Sequence, residues 1–156
     1  MGVQVHIDDD AGQTYRAWSN SDSKMFAQLL MSQPFWHIFT KISHFPIEKL
    51  TTIVAEQHVP NRLKTKYNTW KEYHQSRFQP IEPLVGEIEQ IITFLQQRVN
   101  WLHLLQQEWV QDKHLQHFMY DYYFEEGGFL SDLEGLRTRL NAIKQTGARN
   151  VCLYLL

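Results

Sequence analysis

The sequence predicts an α+β fold: a predominantly helical single domain over residues 1–156, with a small sheet built from its two ends. Three observations predict it. The first residues alternate Val3, Val5 and Ile7 against Gln4 and His6, the period-two signature of a strand with one buried face. The last residues, Val151-Cys152-Leu153-Tyr154-Leu155-Leu156, form a second β-like apolar run. Between them the apolar spacing becomes helical. Neither terminal run can satisfy its backbone alone, so each is expected to pair with the other or with a short strand near 14–18.

The elements follow in order. The strand over 2–7 leads into Asp8-Asp9-Asp10-Ala11-Gly12-Gln13, which reads as an exposed acidic turn, and Tyr15-Arg16-Ala17-Trp18 could return as the second arm of a hairpin. After Asn20 or Ser21, both good N-caps, Met25, Phe26, Leu29 and Leu30 recur at helical spacing. Pro34, Pro46 and Pro60 each precede a helix-like run, because proline suits a first turn whose N–H would be unsatisfied anyway. Helices are therefore expected over 21–31, 34–43, 47–57 and 61–76.

Gln79-Pro80-Ile81-Glu82-Pro83 is the clearest internal break. Beyond it Leu84, Ile88, Ile91, Ile92, Leu95, Val99, Leu102 and Leu105 mark one face of a long helix, with Glu87, Glu89, Gln96, Gln97 and Arg98 mostly opposite. A further helix is expected over 108–124, ended by Glu125-Glu126-Gly127-Gly128. Ser131 and Glu134 fit a capping box opening the last helix, whose stripe is Leu133, Leu136, Leu140 and Ile143. Gly147 stands where a C-cap glycine belongs.

Composition narrows the function classes. A 43% hydrophobic and 21% charged chain is an ordinary globular mixture, not a disordered one. Fifteen Lys and Arg against seventeen Asp and Glu leave a net charge of −2, which argues against nucleic acid as the partner. The basic cluster Arg62, Lys64, Lys66 and Lys71 is too sparse to reverse that, though it leaves room for a local patch facing an acidic partner. A single cysteine, Cys152, excludes an intrachain disulfide and a thiolate zinc site. With no signal-type start and no run approaching the roughly 20 apolar residues of a membrane span, a cytoplasmic, soluble protein is expected.

Candidate chemistry is thin. His103, Glu108, Asp112, His114 and His117 form the tightest metal-type group, and His114 and His117 share a helix face; further ligands would have to come from His37, His44 or His58. The spacings match neither the metalloprotease nor the di-iron pattern, so solvent- or partner-facing side chains are the plainer reading, and no metal or cofactor is assigned. Cys152 falls in a buried strand, where a thiol behaves as a small hydrophobe. Asp8, Asp9 and Asp10 could bind a cation or act as bases, but adjacent strand residues point alternately, so at most two converge.

The most unusual stretch is His117-Phe118-Met119-Tyr120-Asp121-Tyr122-Tyr123-Phe124. On a helix Leu115, Phe118 and Tyr122 share one face while Met119, Tyr120, Tyr123 and Phe124 cover much of the rest. Such a helix is central to a core or shows part of itself to a partner. Tyrosines interleaved with acids favour protein recognition, which gives eight candidate partner-binding residues: Trp109, Asp112, Tyr120, Asp121, Tyr122, Tyr123, Glu125 and Glu126.

The order of Met1-Gly2-Val3 on a short strand, the Leu84-x-x-Glu87-Ile88-x-x-Ile91-x-x-x-Leu95 helix, and Gly127-Gly128-Phe129-Leu130 leading to Gly147 and the 151–154 strand resembles small immunity proteins of bacterial polymorphic-toxin systems. The resemblance implies a non-catalytic protein that neutralises a cognate toxin by occluding it, and it carries over no functional residue. Two alternatives stay open: a metal-dependent enzyme using the His/carboxylate group on the 84–124 region, and a structural subunit of an oligomer, including a homo-oligomer.

Overall fold

The computed structural model describes residues 5–16, 23–55, 59–113, 115 and 121–155. The α+β expectation holds, with a helical body against a small sheet that joins the two ends of the chain. The strand β1 (Val5–Asp9) pairs antiparallel with the final strand β5 (Asn150–Leu155) along its whole length, from Val5 opposite Leu155 to Asp9 opposite Val151. A two-residue strand β2 (Thr14–Tyr15) pairs with Ile7 and Asp8 on the other edge of β1. Both expected pairings of β1 are therefore made.

Two further strands were not legible in the sequence. Strand β3 (Val54–Ala55) runs parallel to β5 at Leu153 and Tyr154, and β4 (Gln79–Pro80) runs antiparallel to it at Val151 and Asn150. The expected helix over 47–57 is accordingly cut to α3 (Lys49–Ile53). Val54, the last of a β-branched run, suits an extended backbone where the free edge of β5 offers hydrogen bonds.

Helices α1 (Ser23–Leu30) and α2 (Gln33–Ser43) lie close to expectation. Ser32 caps α2 by accepting the Phe35 N–H, Pro34 lies in its first turn, and the chain leaves through His44 in the left-handed region, φ 62°. The expected helix over 61–76 divides into a 3₁₀ turn (Asn61–Leu63) and α4 (Trp70–Ser76). Thr69 Oγ accepts the Glu72 N–H and the Glu72 carboxylate accepts the Asn68 N–H, so the helix start is fixed by a reciprocal cap rather than by Pro60.

The Pro80–Pro83 break is also less than expected, because α5 (Ile81–Gln97) begins between the two prolines and holds Pro83 in its first turn. The long helix then ends early. Arg98–Asn100 interrupts it before α6 (Trp101–Gln111), and Val99, expected on the apolar stripe, is 96% exposed. Helix α6 packs back on α2, which a straight continuation of α5 would not allow. In place of one helix over 108–124, α6 stops at Gln111 and α7 (Asp121–Glu125) is a separate turn. The last helix, α8 (Gly128–Gln145), starts three residues before the Ser131 capping box, and Gly147 takes the expected positive φ of 98° after it.

The double glycine has a steric cause. Gly127 holds φ 79°, and a Cβ on Gly128 would lie 2.5 Å from the Tyr123 ring. That ring is buried under the first turn of α8. The main core is aromatic at its centre: Phe35, Phe39, Phe124 and Phe129 are buried together, with Trp36, Trp101 and Trp109 against them. Val5, Ile7, Val151 and Leu153 close it from the sheet side.

Glu87, expected on the polar face of α5, is buried. Its carboxylate accepts the backbone N–H groups of Glu48, Lys49 and Leu50 at 2.8–3.0 Å, capping α3 from another helix. Three charge-assisted bonds in a buried site leave three unmet donors if the carboxylate is removed. Glu87→Ala should lower unfolding free energy by about 2–4 kcal/mol in urea titrations with an unchanged m-value. A loss below about 0.5 kcal/mol would mean water replaces the carboxylate at no cost.

Candidate functional site

Alternation along the strands sends Cys152 and Tyr154 of β5, with His6 and Asp8 of β1, to the face of the sheet away from the main core. That face is covered by the segment 59–78. Val59, Tyr73 and Cys152 form a small second core there, with Leu63, Tyr67, Trp70, Phe78 and Tyr154 packed against it. The reciprocal cap starts α4 where its second turn delivers His74 over the sheet.

His74 is the hub. Its Nε2 lies 2.8 Å from Asp8 Oδ2, and its Nδ1 lies 3.6 Å from Cys152 Sγ. The ring stacks on Trp70 with centroids 4.9 Å apart and meets the Tyr154 ring edge-on. Asp8 Oδ1 accepts the Thr14 hydroxyl at 2.7 Å and the Tyr154 hydroxyl at 3.3 Å. A thiol, an imidazole and a carboxylate in line is the connectivity of a nucleophilic triad. The environment is not. Cys152 has no exposed surface, and burial pushes its thiol up to about 12, with Arg77 opposing the shift and Asp8 adding to it. An activated thiol is depressed and accessible; this one is protonated and sealed. Burial likewise raises the Tyr154 hydroxyl, with the Asp8 charge adding to it, and burial followed by the Arg16 charge lowers His6.

Of the expected exposed acidic turn only Asp10 is exposed; Asp8 is half-buried and Asp9 buried, both at the end of β1. Asp9 is 3% exposed: its Oδ1 accepts the Ala11 and Gln13 N–H groups at 2.9 Å and its Oδ2 the Tyr15 hydroxyl at 3.1 Å. Asp10 reaches across to β5, accepting the Arg149 and Asn150 N–H groups and the Asn150 side-chain amide, and the last of these bonds leads in holding its carboxyl below the usual value. The three carboxylates therefore tie down α4, the β1–β2 turn and the start of β5 in turn. A cleft of about 470 Å³ opens beside them, lined by Asp8, Thr14, Lys71, His74 and Phe78 among others, and Cys152 does not reach its wall.

The second candidate region is the edge formed by α6 and α7. Trp109 is half-buried between Phe35 and Phe124, and its indole N–H donates to the Leu115 carbonyl. Asp112 is half-buried at the end of α6. Tyr123, expected to anchor a partner, is 1% exposed and belongs to the core, where its hydroxyl donates to the buried Asp132 at 2.7 Å. Its place in the core follows from the start of α8, which closes over the ring. Tyr122, by contrast, is 48% exposed, its hydroxyl against Met25 Sδ, and Glu125 and Glu126 are exposed beside it. Tyr120 and the side chain of Asp121 lie outside the described residues.

No family model, curated protein or solved structure matches the chain.

For the metal alternative, Glu108 is paired with Lys41 at 2.9 Å and His103 is exposed. Among the described residues no group of three or more His, Cys, Asp or Glu side chains is placed to hold a metal ion; His58, His114 and His117 lie outside them. Among the described helices none is long and apolar enough to cross a membrane. The Cys152–His74–Asp8 line was missed in the sequence because its members are 66 and 78 residues apart. The one available signal was the alternation that places Asp8 and Cys152 on the same sheet face.

The thiol gives a pH test with a definite sign. Its folded value is raised from the ordinary 9.0 to about 12, so the associated stability is fully present below 9 and is lost as pH rises through that interval. Urea titrations at about pH 8 and about pH 10 should show a fall in stability that Cys152→Ala reduces. An equal fall in both proteins would mean the folded thiol titrates at its ordinary value.

Proposed function

We propose that this chain is a non-catalytic binding protein, an immunity or inhibitor protein that neutralises a cognate bacterial toxin by occluding it. The observation that carries the reading is the edge at α7: an exposed tyrosine, Tyr122, with Glu125 and Glu126 beside it. That edge is mounted on a rigid base, since the adjacent Tyr123 is locked to Asp132 inside the core and Phe124 is buried against Phe35. An exposed amphipathic ring on a backbone fixed by buried neighbours suits an interface anchor, and flanking carboxylates speed association with a basic surface.

The chemistry of the His74 line supports the same reading. Its thiol is sealed and protonated, and its carboxylate holds Thr14, Tyr154 and His74 in place. Occlusion needs no turnover, so an immunity protein is free to use such a line as structure.

Co-expression with the product of a neighbouring toxin gene tests the reading. A stoichiometric complex is expected, weakened about tenfold or more by Tyr122→Ala combined with Glu125→Lys. The melting temperature of the variant should stay within about 2 °C of the parent, because both side chains are exposed. A toxin that remains active in the presence of excess protein would overturn the reading.

A further inference from the structure

Charge is unevenly distributed along the chain. The stretch 59–78 holds five of the fifteen Lys and Arg, namely Arg62, Lys64, Lys66, Lys71 and Arg77, but only one of the seventeen Asp and Glu, Glu72. The remainder of the molecule is correspondingly acidic. The fold gathers these cations: the Asn61–Leu63 turn and α4 lie as a strap across the outer face of the sheet, with Leu63, Tyr67, Trp70 and Phe78 packed on its inner side. Arg62, Lys64, Lys66 and Lys71 are exposed.

These four cations stand out by being gathered in one segment, since exposed Lys113 also has no ion pair among the described residues. Lys41 and Lys144 each meet a carboxylate, Glu108 and Glu82. Arg62, Lys64, Lys66 and Lys71 have no ion pair among the described residues, and the Lys66 ammonium group lies 5.5 Å from the centre of the Tyr67 ring. Glu72, the single acid of the strap, is engaged by the Asn68 N–H. Arg77, at the C-terminal end of α4, adds a fifth, half-buried cation to the strap.

We propose that this strap is a docking surface for an acidic segment of a partner protein. The choice of carboxylates over nucleic acid follows from the rings. Non-specific single-strand binding uses free aromatic faces on which bases stack. Here Trp70 is stacked on His74, and Tyr67 is occupied by the edge of Tyr73 and by Lys66. What remains available is a row of ammonium and guanidinium groups, which suits a flexible acidic chain and gives salt-sensitive affinity. The strap belongs to the opposite side of the sheet from the main core that carries α7, so this inference does not depend on the Tyr122 edge.

Fluorescence anisotropy with the full chain tests it, using a labelled oligoglutamate peptide and an oligothymidylate of matched charge. Oligoglutamate should bind the wild-type protein more tightly than the oligonucleotide, and less tightly as salt is raised. Charge reversal at Arg62→Glu, Lys64→Glu and Lys66→Glu should weaken oligoglutamate binding about tenfold or more, with an unchanged circular dichroism spectrum. The neutral pair Lys64→Gln and Lys66→Gln, milder for folding, should weaken it in the same direction by less. Undetectable oligoglutamate binding, or equal binding by the variants, would overturn the proposal. Tighter binding of the oligonucleotide would overturn it too and make the strap a nucleic-acid surface.

Discussion

The fold depends on β5. It is the last strand in the chain and the only one among the described residues paired with three others: β1 along its full length on one side, β4 and then β3 on the other. Each partner strand comes from a different part of the chain, so none of them can complete its hydrogen bonding until the C-terminal run arrives. Both faces are used as well. Val151 and Leu153 close the aromatic core, while Cys152 and Tyr154 floor the second cluster under α4. A strand paired on both edges and covered on both faces tolerates little change, which is why a small thiol rather than a larger side chain faces His74.

Polar groups at the sheet serve placement. Three consecutive aspartates ordinarily repel one another and seek water. Here each is drawn to a different set of donors, and the three together fix the turn after β1, the start of β5 and the position of α4. The same geometry that aligns Cys152, His74 and Asp8 also excludes water from the sulfur. Desolvation of the thiolate outweighs the favourable effect of nearby Arg77, and the result is a protonated thiol inside a hydrogen-bonded frame. The exterior differs in character, with an acidic and aromatic edge at α7 and a basic strap on the other side of the sheet.

Much of this was legible in the residues. The two terminal strands, α1, α2 and the body of α5 followed from periodicity, and Gly147 from its place after the last stripe. What escaped was set by tertiary context. Strands β3 and β4 are two residues each and exist because β5 has a free edge, which no local pattern reveals. Glu87 looked like a solvent-facing residue because the α3 N-terminus it caps is far away in sequence. Tyr123 and Tyr122 are neighbours of the same type, and only the entry of α8 at Gly128 decides which one is buried. The basic cluster at 62–71 was visible as composition, but its placement across the outer face of the sheet needed the fold.

The central claim is that α4 is a fixed cover over the Cys152–His74–Asp8 line, which makes that line structural. Native-state amide hydrogen exchange tests it most directly. The account predicts that amides within α4 and those of β5 exchange together, at the free energy of global unfolding. If α4 amides instead exchange through a lower-energy opening while β5 and α5 stay protected, the cover lifts in the native state. The thiol and its histidine would then be accessible for chemistry, and the non-catalytic account would be contradicted.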